Sequence, residues 1–370
     1  MNLFKLIPSL ILILLAEGCV TEFIPETSDV RQKLVVEGLI TDQPVANKIK
    51  LSLSMPIGDS LYSIPVPNAQ VYVREYLGGS YKLTEKEPGS YYTDPAIFRG
   101  VPGHSYSLLI LTFNGRYESQ NVEMKPVPPI DSVYYEKVFV KLNQLGKPVE
   151  GAQIYIDTHD SLNNTKFFRW NYTETWIFRL PYIDVQNHVC WITEESDKIF
   201  LANTSYLAES NVSRFPIRRI ATERDDRLRE RYSIVVNQYS ISEEEFRYWE
   251  KIQKISEKSG GLYDVTPMTV IGNIQNTMDP EEQVMGFFSV SAVSSRRIFI
   301  KDIFAGFKDL YSSCPFDTVP INQTIRYLGE IYWIIIMNYD EGTKTYTDQY
   351  RCADCTTRGT TVKPDFWPDN

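Results

Sequence analysis

Tyr106-Ser-Leu-Leu-Ile-Leu-Thr-Phe113-Asn114-Gly115-Arg116-Tyr-Glu-Ser-Gln-Asn-Val-Glu-Met124 has the pattern of two strands joined by a turn. Two runs rich in β-forming residues flank Asn114-Gly115. Asn-Gly in that setting is the strongest short hairpin signal, because both central residues of a type I′ turn take positive φ. The expectation is therefore a tight antiparallel hairpin at this point. Upstream, Ile49, Leu51, Leu53 and Met55 alternate with Lys48, Lys50, Ser52 and Ser54. Ala69, Val71 and Val73 alternate with Gln70, Tyr72 and Arg74. A period of two means a strand with one wet face. Leu34 to Thr41 reads as a further strand, and Asp42-Gln43-Pro44, Gly78-Gly79, Pro88-Gly89 and Val101-Pro102-Gly103 read as turns. No helical period occurs between residues 34 and 124, so this region is expected to be a β-sandwich.

The order of its pieces carries a resemblance. Val36-Glu37-Gly38-Leu39-Ile40-Thr41-Asp42 is followed by Val66-Pro67-Asn68-Ala69-Gln70-Val71, then Gly89-Ser90-Tyr91-Tyr92, then Gly103-His104-Ser105-Tyr106. This resembles the small prealbumin-like or immunoglobulin-like modules found beside carboxypeptidases and at the front of outer-membrane receptors. It implies a fold and not an activity.

Lys125-Pro126-Val127-Pro128-Pro129 marks the expected junction, a proline-rich linker over 125–130. Clustered prolines favour extended polyproline II and resist a sheet interior. Residues 131–370 form the expected second, larger β-rich domain. Strands are expected at Phe167 to Tyr182, around Trp191-Ile192 and Ile199-Phe200-Leu201, and at Arg227 to Tyr239. Further strands are expected at Gly286 to Val293, Arg297 to Phe304, Glu330 to Asn338 and Thr343 to Tyr350. One helix is expected over about 242–258. Ser242 and Glu245 form an S-x-x-E capping box, and Phe246, Trp249, Ile252 and Ile255 recur as an apolar stripe. Gly260-Gly261 is its expected end. The fold class is mainly all-β with one embedded helix.

The N-terminus reads as a targeting segment. Lys5 precedes the apolar run Leu6 to Ala16, and Gly18-Cys19 follows. The run is short of the roughly 20 apolar residues a spanning helix needs. It resembles a bacterial lipoprotein signal over residues 1–18, with Cys19 as the lipidated residue and 19–33 as a tether. No later stretch is apolar and long enough to cross a membrane as a helix. The formal net charge of −9 lacks the basic footprint of a nucleic-acid-binding protein.

After Cys19, four cysteines remain: Cys190, Cys314, Cys352 and Cys355. An exported chain meets an oxidising compartment, so two disulfides are expected, with three possible pairings. The Cys352-x-x-Cys355 motif could instead be half a zinc site, completed by Cys190 and Cys314, or a redox motif. The redox motif should open a helix after a strand, and none is expected there.

Other chemistry-bearing residues read as structural. Asp157-x-His159-Asp160 reads as a solvated turn, with a metal site as the sharper alternative. His104, His159 and His188 share no motif, and no HExxH, GxSxG, P-loop or GxGxxG occurs. Trp170, Tyr172 and Trp176 lie in an aromatic block that is either core or a stacking platform for a sugar. Arg227, Arg229 and Arg231 belong to a basic run largely offset by nearby acids, expected in a solvated hairpin, with an anionic-ligand or partner patch as the alternative. No catalytic residue, metal or cofactor is assigned.

A second resemblance covers most of the chain. It rests on Arg169-Trp170-Asn171-Tyr172-Thr173-Glu174-Thr175-Trp176, Cys190-Trp191, Ala202-Asn203-Thr204-Ser205 and Arg231-Tyr232-Ser233. Tyr248-Trp249, Gly272-Asn273-Ile274, Gly286 to Ala292 and the ending Cys352 to Trp367 complete it. Together these resemble a family of Bacteroidota outer-membrane lipoproteins known only as a domain of unknown function, 4249. The resemblance implies an exported lipoprotein of a family commonly encoded near TonB-dependent transporters. The expectation is a non-enzymatic binding or accessory subunit of such a transporter, held at the outer membrane by lipid. A hydrolase acting on glycan or peptide, or a purely structural envelope protein, are the alternatives.

Overall fold

A computed structural model describes residues 32–54, 63–141, 147–182, 185–258, 270–307, 314–323 and 333–369. The lipidation residue Cys19 and the Gly260-Gly261 helix end lie outside the described residues. The first ten strands are β1 (Leu34–Thr41), β2 (Lys48–Leu53), β3 (Ile64–Pro65), β4 (Gln70–Glu75), β5 (Ser80–Lys82), β6 (Thr84–Glu87), β7 (Ser90–Tyr92), β8 (Ser105–Leu111), β9 (Arg116–Ser119) and β10 (Val122–Glu123). Next come β11 (Ile130–Val140), β12 (Val149–Asp160), β13 (Phe167–Arg179), β14 (Val189–Glu195), β15 (Phe200–Asn203), β16 (Ser210–Ala221) and β17 (Tyr232–Ser240). Helix α1 (Glu243–Lys258) follows, then β18 (Ile274–Asn276), β19 (Met285–Ser291) and β20 (Val293–Ile300). Strands β21 (Asp317–Pro320), β22 (Trp333–Asn338) and β23 (Thr343–Thr347) form a small separate sheet, in the order β21-β23-β22.

The fold is all-β with one helix, as expected. Two sheets, β19-β1-β2-β7-β6 and β18-β9-β8-β4-β5, share one core built from Val36, Ile49, Leu51, Val71, Val73, Leu108 and Ile110. These are the apolar members of the alternating runs, so period two decided which face turned inward.

The composition of this first sandwich departs from the sequence reading. Strands β18 and β19 were expected in the second domain. Instead β19 lies parallel to β1, with Val36 opposite Gly286, and β18 pairs antiparallel with β9. A parallel pair needs a long crossover. Here the chain from β11 to α1, which builds all of the second sandwich's strands but β20, lies between β1 and β19. Gly286 is required at this seam. Its φ is +92°, and a Cβ there would sit 2.0 Å from the Val36 carbonyl oxygen.

The hairpin at Asn114-Gly115 forms, but not by the expected turn. Leu111 pairs with Arg116, leaving a four-residue loop in which the Thr112 N–H donates to the Gly115 carbonyl at 2.9 Å. Neither Asn114 nor Gly115 takes positive φ. A four-residue loop reverses the chain without the mirror-image turn that a two-residue loop demands.

The second sandwich packs β14-β13-β17-β20, with β15 beside β13, against β11-β12-β16. The latter sheet was not assigned from sequence. Register shifts at Ile154/Tyr155 and Ile156/Thr158 break its period of two. Strand β17 starts at Tyr232, so the residues from Arg227 to Arg231 precede the sheet. The linker docks on the second sandwich. Its carbonyls at Pro126, Pro128 and Pro129 accept hydrogen bonds from Thr165, Gln238 and Thr158 at 3.2, 2.8 and 3.2 Å. Polyproline II leaves such carbonyls free for outside donors.

The expected pair of disulfides is present as Cys190–Cys355 and Cys314–Cys352, with Cα–Cα separations of 5.8 and 6.1 Å. The first ties the C-terminal segment onto β14, and the second ties it to Cys314, just before β21. The same segment is fixed by a bridge between Trp191 and Thr360 and by the buried Trp367. Asp354 caps the turn at Cys355–Thr357 by accepting from the Thr356 N–H at 2.8 Å. No described helix is long and apolar enough to cross a membrane.

A candidate binding cleft between the two sandwiches

Alternation along β13 sends Phe168, Trp170 and Tyr172 into the core. Arg169, Asn171 and Thr173 therefore face the other way. That outer face meets α1 and the β1–β19 seam of the first sandwich. Two cavities open on this face, one of about 460 Å3 between the sandwiches and one of about 410 Å3 beside it on the second sandwich alone. Arg169, Asn171 and Glu195 line both. The first is completed by Glu37, Lys48, Lys50, Trp249 and Phe287, and the second by Lys198, Asn237 and Tyr239.

Helix α1 supplies one wall. Ser242 caps it, accepting from the Glu245 N–H at 3.1 Å. The return arm of the expected capping box is not what Glu245 makes. Its side chain turns inward, where Oε1 accepts from the Ser289 hydroxyl at 2.7 Å and from the Trp249 indole N–H at 3.1 Å. Glu245 is buried, and Oε2 has no hydrogen-bond partner among the described residues. Burial pushes its carboxyl above the usual glutamate range, against the pull of Arg169, Ser289 and Trp249.

Arg169 is held by stacking. Its guanidinium lies 4.7 Å from the Tyr239 ring centre and 4.9 Å from that of Trp249. Its Nε is 4.0 Å from Glu245 Oε1, too far for a hydrogen bond, and has no partner among the described residues. Asn171 is oriented by its oxygen, which accepts from the Asn237 amide at 2.9 Å and the Tyr239 hydroxyl at 3.3 Å. Its amide nitrogen is what remains for the cleft. The lysines of the first cavity are already paired, Lys50 with Glu37 at 3.5 Å and Lys48 with Glu87 at 4.0 Å.

A family model described as a domain of unknown function, DUF4249, matches residues 20–297. The chain belongs to the DUF4249 family. The match takes in β1 through most of β20, and with them Arg169, Asn171, Glu195 and Glu245. It ends before the Cys352 to Trp367 segment, so that part of the sequence resemblance is not carried by the family match. No curated protein matches the chain.

The DUF4249 protein does not join the other sequence-nominated residues into one surface. Trp170, Tyr172 and Trp176 are buried, which removes the stacking-platform reading. Packing explains it, since their rings fill the space between the two sheets and their N–H groups are satisfied inside. The Trp170 indole donates to Gln238 at 2.9 Å and that of Trp176 to Asp226 at 3.1 Å. Arg227 is not in a solvated hairpin. It binds the buried Glu174 and Asp225, each at 3.0 Å, contacts Glu194, and lies 4.1 Å from the centre of the Trp176 ring. Glu174 also accepts from Arg218 at 3.1 Å and from the Tyr232 hydroxyl at 2.7 Å. Arg231 donates to the Pro368 carbonyl at 3.0 Å, and Arg229 lies 5.0 Å from the centre of the Phe307 ring. These arginines fasten the second sandwich and its C-terminal segment.

Asp157 and His159 end β12 and Asp160 shapes the turn after it. Asp160 Oδ2 accepts from the Asn164 and Thr165 N–H groups at 2.8 and 2.7 Å, and His159 pairs with Asp131 at 2.7 Å. His104 pairs with Glu75, and His188 sits 3.3 Å from the Val185 carbonyl. No cluster of three or more metal-ligating side chains occurs among the described residues. In the sequence, Arg169 and Asn171 stand out only as members of the segment that carries the family resemblance. The available signal was a polar pair interleaved with core aromatics, which marks the opposite face of the same strand.

Proposed function

We propose that this DUF4249 protein is an exported lipoprotein that binds a ligand in the cleft between its sandwiches and works with a TonB-dependent transporter, without catalysing a reaction. The observation that carries this reading is the pair of cavities sharing Arg169, Asn171 and Glu195. Cavities of this size, with a few convergent polar groups, suit a small ligand. Export is supported by the Leu6 to Ala16 run with Gly18-Cys19, and by two disulfides that suit an oxidising compartment. Anchoring is assigned to Cys19 at the outer membrane.

Gentle detergent extraction from the native host, affinity purification and mass spectrometry test the partnership. A TonB-dependent transporter in near-equal amount is the expected result, and recovery of the protein alone would overturn it. Cys19→Ala is expected to release the protein from membranes.

A further inference from the structure

We propose that the cleft takes a ligand bearing a free carboxylate, gripped by the Arg169 guanidinium and the Asn171 amide N–H. This rests on the binding-protein reading above and adds the chemistry of the ligand. A guanidinium presents parallel N–H donors that match the two oxygens of a carboxylate. The Arg169 side chain makes no hydrogen bond to any described residue, although two aromatic rings already fix its position. Its rotamer freedom is spent before a ligand arrives, which favours binding. The nearest acid, Glu245, stands beyond hydrogen-bond reach and leaves the donors of Arg169 unused. Asn171 adds a second donor of fixed direction, because its oxygen is occupied by Asn237 and Tyr239.

Two sources offer such a carboxylate, a short peptide and an acidic sugar. Glu195 separates them. It lines both cavities, has no ion-pair partner among the described residues, and complements an ammonium group. A peptide with both termini free carries an ammonium and a uronate does not.

Titration calorimetry on the full mature chain in detergent tests the assignment, with four probes: Ala-Ala, its C-terminal amide, glucuronate, and methyl glucoside. Losing a charge-assisted hydrogen bond costs about ten-fold or more in affinity. Ala-Ala is therefore expected to bind at least about ten-fold more tightly than its amide. Tight glucuronate binding with weak Ala-Ala binding would keep the carboxylate grip and assign the cleft to acidic sugars. Asn171→Asp keeps the oxygen that Asn237 and Tyr239 require, removes the donor and adds a repelling charge. It is expected to weaken the acidic probe at least about ten-fold with an unchanged thermal midpoint. Arg169→Lys, which keeps the charge but loses the fork, is expected to weaken it as well. Neutral probes binding as tightly as acidic ones, equal binding by Asn171→Asp, or no acidic probe binding at about 10 mM would each overturn the proposal. Transporter co-purification would still decide the wider reading.

Discussion

The first sandwich is completed by β18 and β19, which return after β11 to β17 and α1, whereas the second is completed by β20 and stapled to the C-terminal segment. In the first, β1 finds its parallel partner only after the chain has laid down β11 to β17 and α1, and the fit depends on backbone approach at Gly286. In the second, two disulfides and a buried charge cluster centred on Glu174 bind the layers and the C-terminal segment. The buried carboxylates among the described residues are Glu174, Asp226 and Glu245, and none belongs to the first core. A buried charge costs several kcal/mol unless its partners are in place. The second sandwich therefore depends on matched polar groups from distant segments, and the first on close-packed backbone and aliphatic side chains.

Three perturbations act on the two sandwiches separately. The largest effect is expected for Cys190→Ser with Cys355→Ser, which opens a link between residues 165 apart in sequence. The chain-entropy relation puts the loss at up to about 5 kcal/mol. Hydrogen exchange should rise in β13 and β17 while β1 and β2 stay protected. Simultaneous loss in both sandwiches would show that they unfold as one unit, and the contrast would fail.

Gly286→Ala attacks the other half. The positive φ and the contact with the Val36 carbonyl together are expected to cost about 3 kcal/mol, read as a lower urea midpoint. Exchange should rise first in β1 and β19. An unchanged midpoint would mean the seam adjusts freely.

The smallest effect is a pH dependence in the C-terminal segment. Burial pushes the Asp354 carboxyl up, but hydrogen bonds from Thr356, Asn187 and Tyr350 outweigh it and hold the value at about 2. The folded value lies below the ordinary 3.8, so this stabilisation is present above that pH and fades as pH falls toward 2. Allowing for solvent screening, it amounts to about 1 kcal/mol. Asp354→Asn should lower stability at pH 5 and match the wild type near pH 2. A constant difference across that range would rule the ionised carboxyl out as the source.

Strand positions in the first sandwich were legible because one face of each strand is wet and the other dry. Leu34 to Thr41 and the Ile49/Leu51 alternation land where period two puts them. The start of α1 was legible because the Ser242 cap is a local interaction. Sheet β11-β12-β16 was not, because bulges shift its register.

The features legible in the chain are local: alternating faces, the capped helix, and enough cysteines for two disulfides. Tertiary structure decided which cysteines meet, that the Gly286 strand crosses back to β1, and that Trp170, Tyr172 and Trp176 lie inside. It also decided that Glu245 leaves its own helix cap for Ser289, and that Arg169 stands stacked at the mouth of a cleft. These outcomes depend on pairing between residues far apart along the chain. Local propensity carries no record of such pairing, because the free energy that selects it arises only when the distant segments pack together.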